Sequence, residues 1–222
     1  MSNKEPDKLR KRVLTALVVA PPCLFAAYYG SWPFMIMILI FFAIAMQEWF
    51  ALAQKLGGMR AFIPGTLYLL ICFYCFYVVG AEKNIDALLL IVLIASSDIG
   101  AYFAGKTIGG PKMAKTISPN KTWAGLGGAV LAPAIVLLLA EILFLDYLQK
   151  GVYEYLLFFV FGCLIGLCGQ LGDILVSLMK RKAKVKDTGT LLPGHGGVLD
   201  RIDSLLLASP VFMALEYVIG HV

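Results

Sequence analysis

The sequence predicts an all-α polytopic membrane protein of about seven transmembrane helices, with its N-terminus in the cytoplasm. Three observations predict it. Hydrophobic residues make up 60% of the 222 positions and charged residues only 15%, with a mean hydropathy of +0.83, outside the range of soluble globular chains. Seven apolar runs approach the roughly 20 residues a helix needs to cross hydrocarbon. Lys and Arg also fall almost entirely on one side of the bundle those runs would form. The chain reads as a single integral membrane domain, 1–222, with helices of little chemistry over 1–84 and a polar half over 85–222.

The runs cover 13–30, 33–54, 62–80, 86–105, 123–145, 152–179 and 202–220. Lys8 to Arg12 precede the first one as in a secretory signal. Its apolar stretch exceeds a typical signal core and no small-x-small site follows, so a retained helix is expected. The second run carries Glu48, the one intramembrane acid of the first three, near a helix end. There it is expected to pack, to snorkel or to pair with a basic loop residue. Cys72 and Cys75 form a C-x-x-C in the third run, but no nearby Cys or His completes a metal site. All five cysteines are read as small buried apolar residues.

The fourth run holds Asp98 within "SSDIGAYFAGKTIGG", and the loop after it reads "GGPKMAKTISPNKTWAGLGG". The sixth holds Asp173 within "GQLGDILVSLMKR", preceded by Gly162, Gly166 and Gly169, small residues suited to close helix packing. The seventh opens on Asp200 and Asp203, one turn apart. No internal repeat is visible, which weakens a transporter built from inverted halves.

Orientation follows from the basic residues. Five Lys or Arg lie in 1–12, two in 55–60, four in 106–121 and six in 180–201, leaving only Lys83 and Lys150 for the opposite side. Both charged, glycine-rich loops then face the cytoplasm. Asp98 and Asp173 each lie seven residues before a cytoplasmic helix end, a depth of roughly 10 Å at 1.5 Å per residue. With Asp200 and Asp203 they give four carboxylates able to converge at shallow depth.

Carboxylates in hydrocarbon cost at least ~2.5–3.5 kcal/mol each on insertion scales, so a cluster points to a bound cation or a wet cavity. Oxygen ligands without soft neighbours favour Mg²⁺ over zinc. Above the acids stand Lys112, Lys115, Lys121, Lys180, Arg181, Lys182, Lys184, Lys186 and Arg201. Lys182 and Lys184 are explained by topology alone. Lys180 shares a helical face with Asp173 and Ser177, and Lys121 sits at the entry to the fifth helix, where backbone N–H groups face an anion. The "PGHGG" stretch at 193–197 lets backbone approach a ligand. Acids below and bases above suit magnesium and a polyphosphate together.

Ser177-Leu-Met-Lys180-Arg181, Lys186-Asp187, Gly189, Leu192-Pro193, His195-Gly196-Gly197 and Asp200-Arg201-Ile202-Asp203 resemble the 27-residue signature of phosphatidate cytidylyltransferases, the CDP-diacylglycerol synthases. "DIGAYFAGKTIGG" and "SPNKTWAG" are similar to that family's other two motifs. The resemblance is detailed over about 96–204 and general before it.

It implies a magnesium-dependent enzyme of phospholipid biosynthesis, its active site on the cytoplasmic side of 85–222. The enzyme joins CTP to phosphatidic acid, giving CDP-diacylglycerol and pyrophosphate. Asp173 and Asp200 would hold the metal, with Asp98 and Asp203 in support and room for a second cation. Asp173, Asp200, Lys180 and Lys186 would be the catalytic group. Lys121, Ser177, Arg181, Asp187, His195, Gly196, Gly197 and Arg201 would contact substrate. Implied partners are CTP, phosphatidic acid and membrane lipids, with a homodimer as a candidate assembly and no nucleic acid. The small size points to a bacterial inner membrane. Two departures stand out: Val176 and Ala124 occupy positions where many members carry Glu.

Rival readings make different products. A CTP-dependent lipid-alcohol kinase would release CDP, and a CDP-archaeol synthase would use an ether lipid. A transporter would need charge in the outer halves, which is sparse. The D-G-x-x-A-R pattern of CDP-alcohol phosphotransferases is absent.

Overall fold

A computed structural model describes residues 4–82, 84–144, 152–194 and 196–219. Among them are seven helices: α1 (Lys4–Tyr29), α2 (Ser31–Leu56), α3 (Met59–Glu82), α4 (Asn84–Thr107), α5 (Trp123–Phe144), α6 (Val152–Lys182) and α7 (Leu199–Ile219). The seven expected runs fall on these seven helices in order. Five, from α2 to α6, are long and apolar enough to cross a membrane. In α1 the apolar part, Val13–Tyr29, is shorter, and α7 opens on charged residues and carries Glu216. Large apolar side chains such as Leu39, Leu131 and Leu156 are more than 45% exposed on these helices, an outward face suited to hydrocarbon. Lys83, Lys150 and His195 lie outside the described residues.

Beside the helices the chain has one small further element. Between α4 and α5 the chain forms an antiparallel hairpin, β1 (Lys112–Ala114) with β2 (Ser118–Thr122), pairing Lys112 with Thr122 and Ala114 with Ser118. Gly109 and Gly110, at φ 69° and 92°, reverse the chain into it, a left-handed conformation that costs glycine nothing.

The chain clusters into two compact units interleaved in sequence: 1–88 with 178–203, and 89–177 with 204–222. In the first, α2 packs on α1 and α3. Phe34 meets Phe76 and Phe42 meets Phe73 edge to face, each at 5.4 Å, a favoured aromatic geometry. The Trp49 indole donates to the Phe62 carbonyl at 3.1 Å and lies against Gly65. Gly57 and Gly58, both at positive φ, end α2, and the Gly58 amide closes back on Ala53.

In the second unit, helices touch through small residues. Gly100 on α4 lies against Gly128 and Ala132 on α5. Gly162 and Gly166 on α6 lie against Ala134, Pro133 and Ala129 of α5. Gly169 faces Ile94 and Ser204. The packing role expected of the three α6 glycines is what the structure has. Backbone approach of this kind replaces the hydrophobic drive that lipid cannot supply.

Candidate active site

The 89–177 unit holds a cavity of about 430 Å³ between α4, the hairpin, α5 and α6. Asp98, Tyr102 and Lys106 line it from α4, Asn120 and Lys121 from β2, and Gln170 and Asp173 from α6. Lys121 is placed by the hairpin, whose end Thr122 is buried and caps α5 by accepting the Gly125 amide at 3.0 Å. The Lys121 ammonium donates to Asp173 Oδ2 and to Gln170 Oε1, both at 2.8 Å. The Gln170 amide then points its Nε2 at Asp98 Oδ1, 3.5 Å away. Ser177 donates to the other Asp173 oxygen at 3.1 Å. Asp98, Lys121, Asp173 and Ser177 are therefore one network, and Gln170 is its hinge.

Gln170 is 4% exposed and was not among the expected site residues. Its signal was a glutamine inside an apolar, glycine-flanked helix, where an amide that finds no partner is costly. The lining supplies oxygen donors and no thiol or imidazole, a set that fits a hard cation held by one or two carboxylates plus substrate phosphates. Among the described residues no group of three or more His, Cys, Asp or Glu is arranged around a metal position. Lys121 supplies the charge that balances Asp173.

The unit of 1–88 and 178–203 holds the second set. The Lys180 ammonium lies 2.7 Å from Asp200 Oδ1, the two side chains 13% and 3% exposed. Asp200 Oδ2 accepts the amides of Thr188 at 2.8 Å and Gly197 at 3.0 Å. Burial pushes the Asp200 carboxyl up. The Lys180 ammonium and the two amides outweigh it and hold the group below the usual carboxylate range. Between these anchors Leu192 and Gly196 exchange backbone bonds of 3.0 and 3.1 Å, with Gly194 and Gly196 at φ 80° and 87°. Arg181, Lys186, Asp187 and Arg201 are exposed and Asp203 is buried at the start of α7. Glu48 also reaches this loop. Its partners are backbone amides and Thr188 rather than a basic side chain.

Apolar helices carrying a half-buried lysine–carboxylate network in a cavity are the form of a membrane enzyme that handles anionic substrates. The chain belongs to the Cytidylyltransferase family, whose model matches residues 59–219. A phosphatidate cytidylyltransferase of Rickettsia bellii is 34% identical over 221 residues, 96% of this chain and 93% of the relative. One of Rickettsia felis is 30% identical over 216 residues, 96% and 94% of the two chains. One of Brucella suis is 43% identical over 134 residues, 60% of this chain and 46% of the relative.

Proposed function

We infer that the chain transfers CMP from CTP to phosphatidic acid, giving CDP-diacylglycerol and pyrophosphate in phospholipid biosynthesis. The observation that carries this reading, beside the family, is the Lys121 ammonium shared between Asp173 and Gln170 inside the 430 Å³ cavity.

The chemistry asks for little base catalysis. A phosphomonoester loses its second proton near pH ~6, so the lipid phosphate is largely ionised at neutral pH. One of its oxygens attacks the α-phosphorus of CTP while the bond to the pyrophosphate oxygen breaks. The obstacle is bringing two anions together, which fixed cations relieve. Lys121 leaves Asp173 to meet a phosphate oxygen, with Gln170 keeping the ammonium in the cavity during the exchange. Asp173, released and oriented by Ser177, is then a carboxylate facing the substrate, with Asp98 beside Gln170. Asp173 would hold magnesium with Asp98 in support, and the ion would supply charge neutralisation at the transferring phosphoryl group.

The further roles rest on the signature. Lys180 and Asp200 would be catalytic, Asp200 as a metal-holding carboxylate with Asp203 in support and a second cation accommodated. Lys186, Arg181 and Arg201 would add phosphate-binding charge beside Asp187, Gly196, Gly197 and His195. The skew of Lys and Arg supports a cytoplasmic N-terminus and a site open to the cytoplasm, and the same reading takes all seven helices as spans of a bacterial inner membrane. A homodimer is the assembly to test.

Pyrophosphate release by the purified chain in detergent tests the reading. It should require CTP, phosphatidic acid and Mg²⁺ together. Release of CDP on adding a lipid alcohol would instead identify a kinase.

A further inference from the structure

We propose that Glu48 is a positioning residue for the reaction. From α2 its carboxylate fixes the 188–199 loop, so that the exposed side chains on and beside that loop meet substrate in one arrangement. The proposal rests on the cytidylyl-transfer reading above.

Glu48 is 7% exposed in a largely apolar helix. Its Oε1 accepts the Val198 amide at 2.8 Å, and its Oε2 accepts the Leu199 amide and the Thr188 hydroxyl, both at 2.9 Å. Leu199 opens α7 and Val198 flanks it, where N–H groups lack helical partners and the dipole favours a negative charge. The carboxylate thus caps a helix from about 150 positions away in the chain.

Thr188 joins the two acids. Its hydroxyl goes to Glu48 and its amide to Asp200, while Gly197 and Val198, at the loop's far end, donate to Asp200 and Glu48 respectively. Both ends of the loop are therefore tied to the same pair of carboxylates, and the Leu192–Gly196 bridge folds the tip between them.

Two glycines of the signature make room for this. A Cβ on Gly189 would lie 2.5 Å from Glu48 Oε1, and one on Gly197 would lie 2.5 Å from Oε2 and strike the Thr188 hydroxyl. An acid outside the signature accounts for glycine at two positions inside it. A residue that merely filled space in α2 would need neither the charge nor these glycines.

The test compares E48Q, E48A, G189A and the double variant E48A/G189A with L52A, which opens a cavity at a buried leucine of the same helix. Kinetics with CTP, phosphatidic acid and Mg²⁺ are read beside hydrogen exchange of the Thr188, Val198 and Leu199 amides and the melting temperature. E48Q keeps the side chain's shape but cannot accept all three bonds. It should lower kcat/KM by about 10- to 100-fold, the scale of a small misplacement of binding groups, and should speed loop exchange. L52A should lower the melting temperature with kcat/KM retained. G189A should resemble E48Q, and the double variant should be no worse than E48A, because the carboxylate that the methyl meets is gone.

Wild-type kcat/KM or unchanged exchange in E48Q overturns the proposal. So does a loss in L52A equal to that in E48Q, or additive losses in the double variant. A wild-type chain without turnover would instead remove the reaction assigned above, and loop exchange in E48Q and G189A would still decide whether Glu48 holds the loop.

Discussion

Lys121 and Asp173 meet at 2.8 Å, a hairpin lysine against an acid from the last third of α6, with their side chains 17% and 30% exposed. Each would be expensive alone among apolar helices, and each is held in place by a further group, Gln170 for the lysine and Ser177 for the acid. Removing either partner therefore has readable consequences.

Asp173→Asn should abolish magnesium-dependent turnover while the protein still inserts and purifies as the wild type does. The amide keeps the shape and an acceptor for Ser177 but gives up the charge that balances Lys121. Titrating Mg²⁺ against initial rate checks it, and no concentration should restore the rate. Full turnover by the variant would remove Asp173 from the site.

Lys121→Met retains the aliphatic stem and deletes the ammonium. The rate should fall by about 10²–10³-fold, the scale for losing one preorganised group that stabilises developing charge, with a raised KM for CTP. Gln170→Leu should cost less, since Lys121 keeps Asp173. Steady-state kinetics of the two variants side by side set that order.

Asp200 links stability to pH. Its folded carboxyl is held below its unfolded value of about 3.9. Its contribution is complete above that value and is lost as the pH falls through the depressed folded pKa. Asp200→Asn leaves the Lys180 charge without its partner, a loss of up to about 3–5 kcal/mol for a buried pair. The gap in melting temperature between wild type and variant should be constant from neutral pH down to about 5 and should narrow in stronger acid.

Gly100→Ala tests the small-residue seam. Its methyl would meet the Gly128 carbonyl and the Ala132 side chain, and neither helix backbone yields cheaply. A destabilisation of about 1–3 kcal/mol is expected, seen as a lower melting temperature in detergent.

Much of this molecule was legible as text because hydrocarbon imposes a simple rule. A chain that must satisfy its own backbone spans in helices, so the apolar runs marked all seven, six of them within a few residues, while α1 starts nine residues before its run. Asp98, Asp173 and Ser177 were legible as charged or polar residues at shallow helical depth, and Lys121 as a cation at the entry to the fifth helix. Gln170 carried a weaker signal, an uncharged amide in an apolar helix, and its importance lies in contacts that only the packed helices create. Glu48 was visible as an acid, but its partners are backbone amides of 198 and 199, and no sequence pattern announces a cap donated from another helix. The hairpin at 112–122 read as a loop since three- and five-residue strands leave too short an alternation to detect.

The central claim is cytidylyl transfer to a lipid phosphate, and the most direct measurement follows the α-phosphorus of CTP. Purified protein in detergent is given phosphatidic acid, Mg²⁺ and α-³²P-labelled CTP. Label should pass into a chloroform-extractable lipid, with one pyrophosphate released for each labelled lipid formed. Labelled CDP or CMP in the aqueous phase with no labelled lipid, from protein whose fold is intact, would contradict the account.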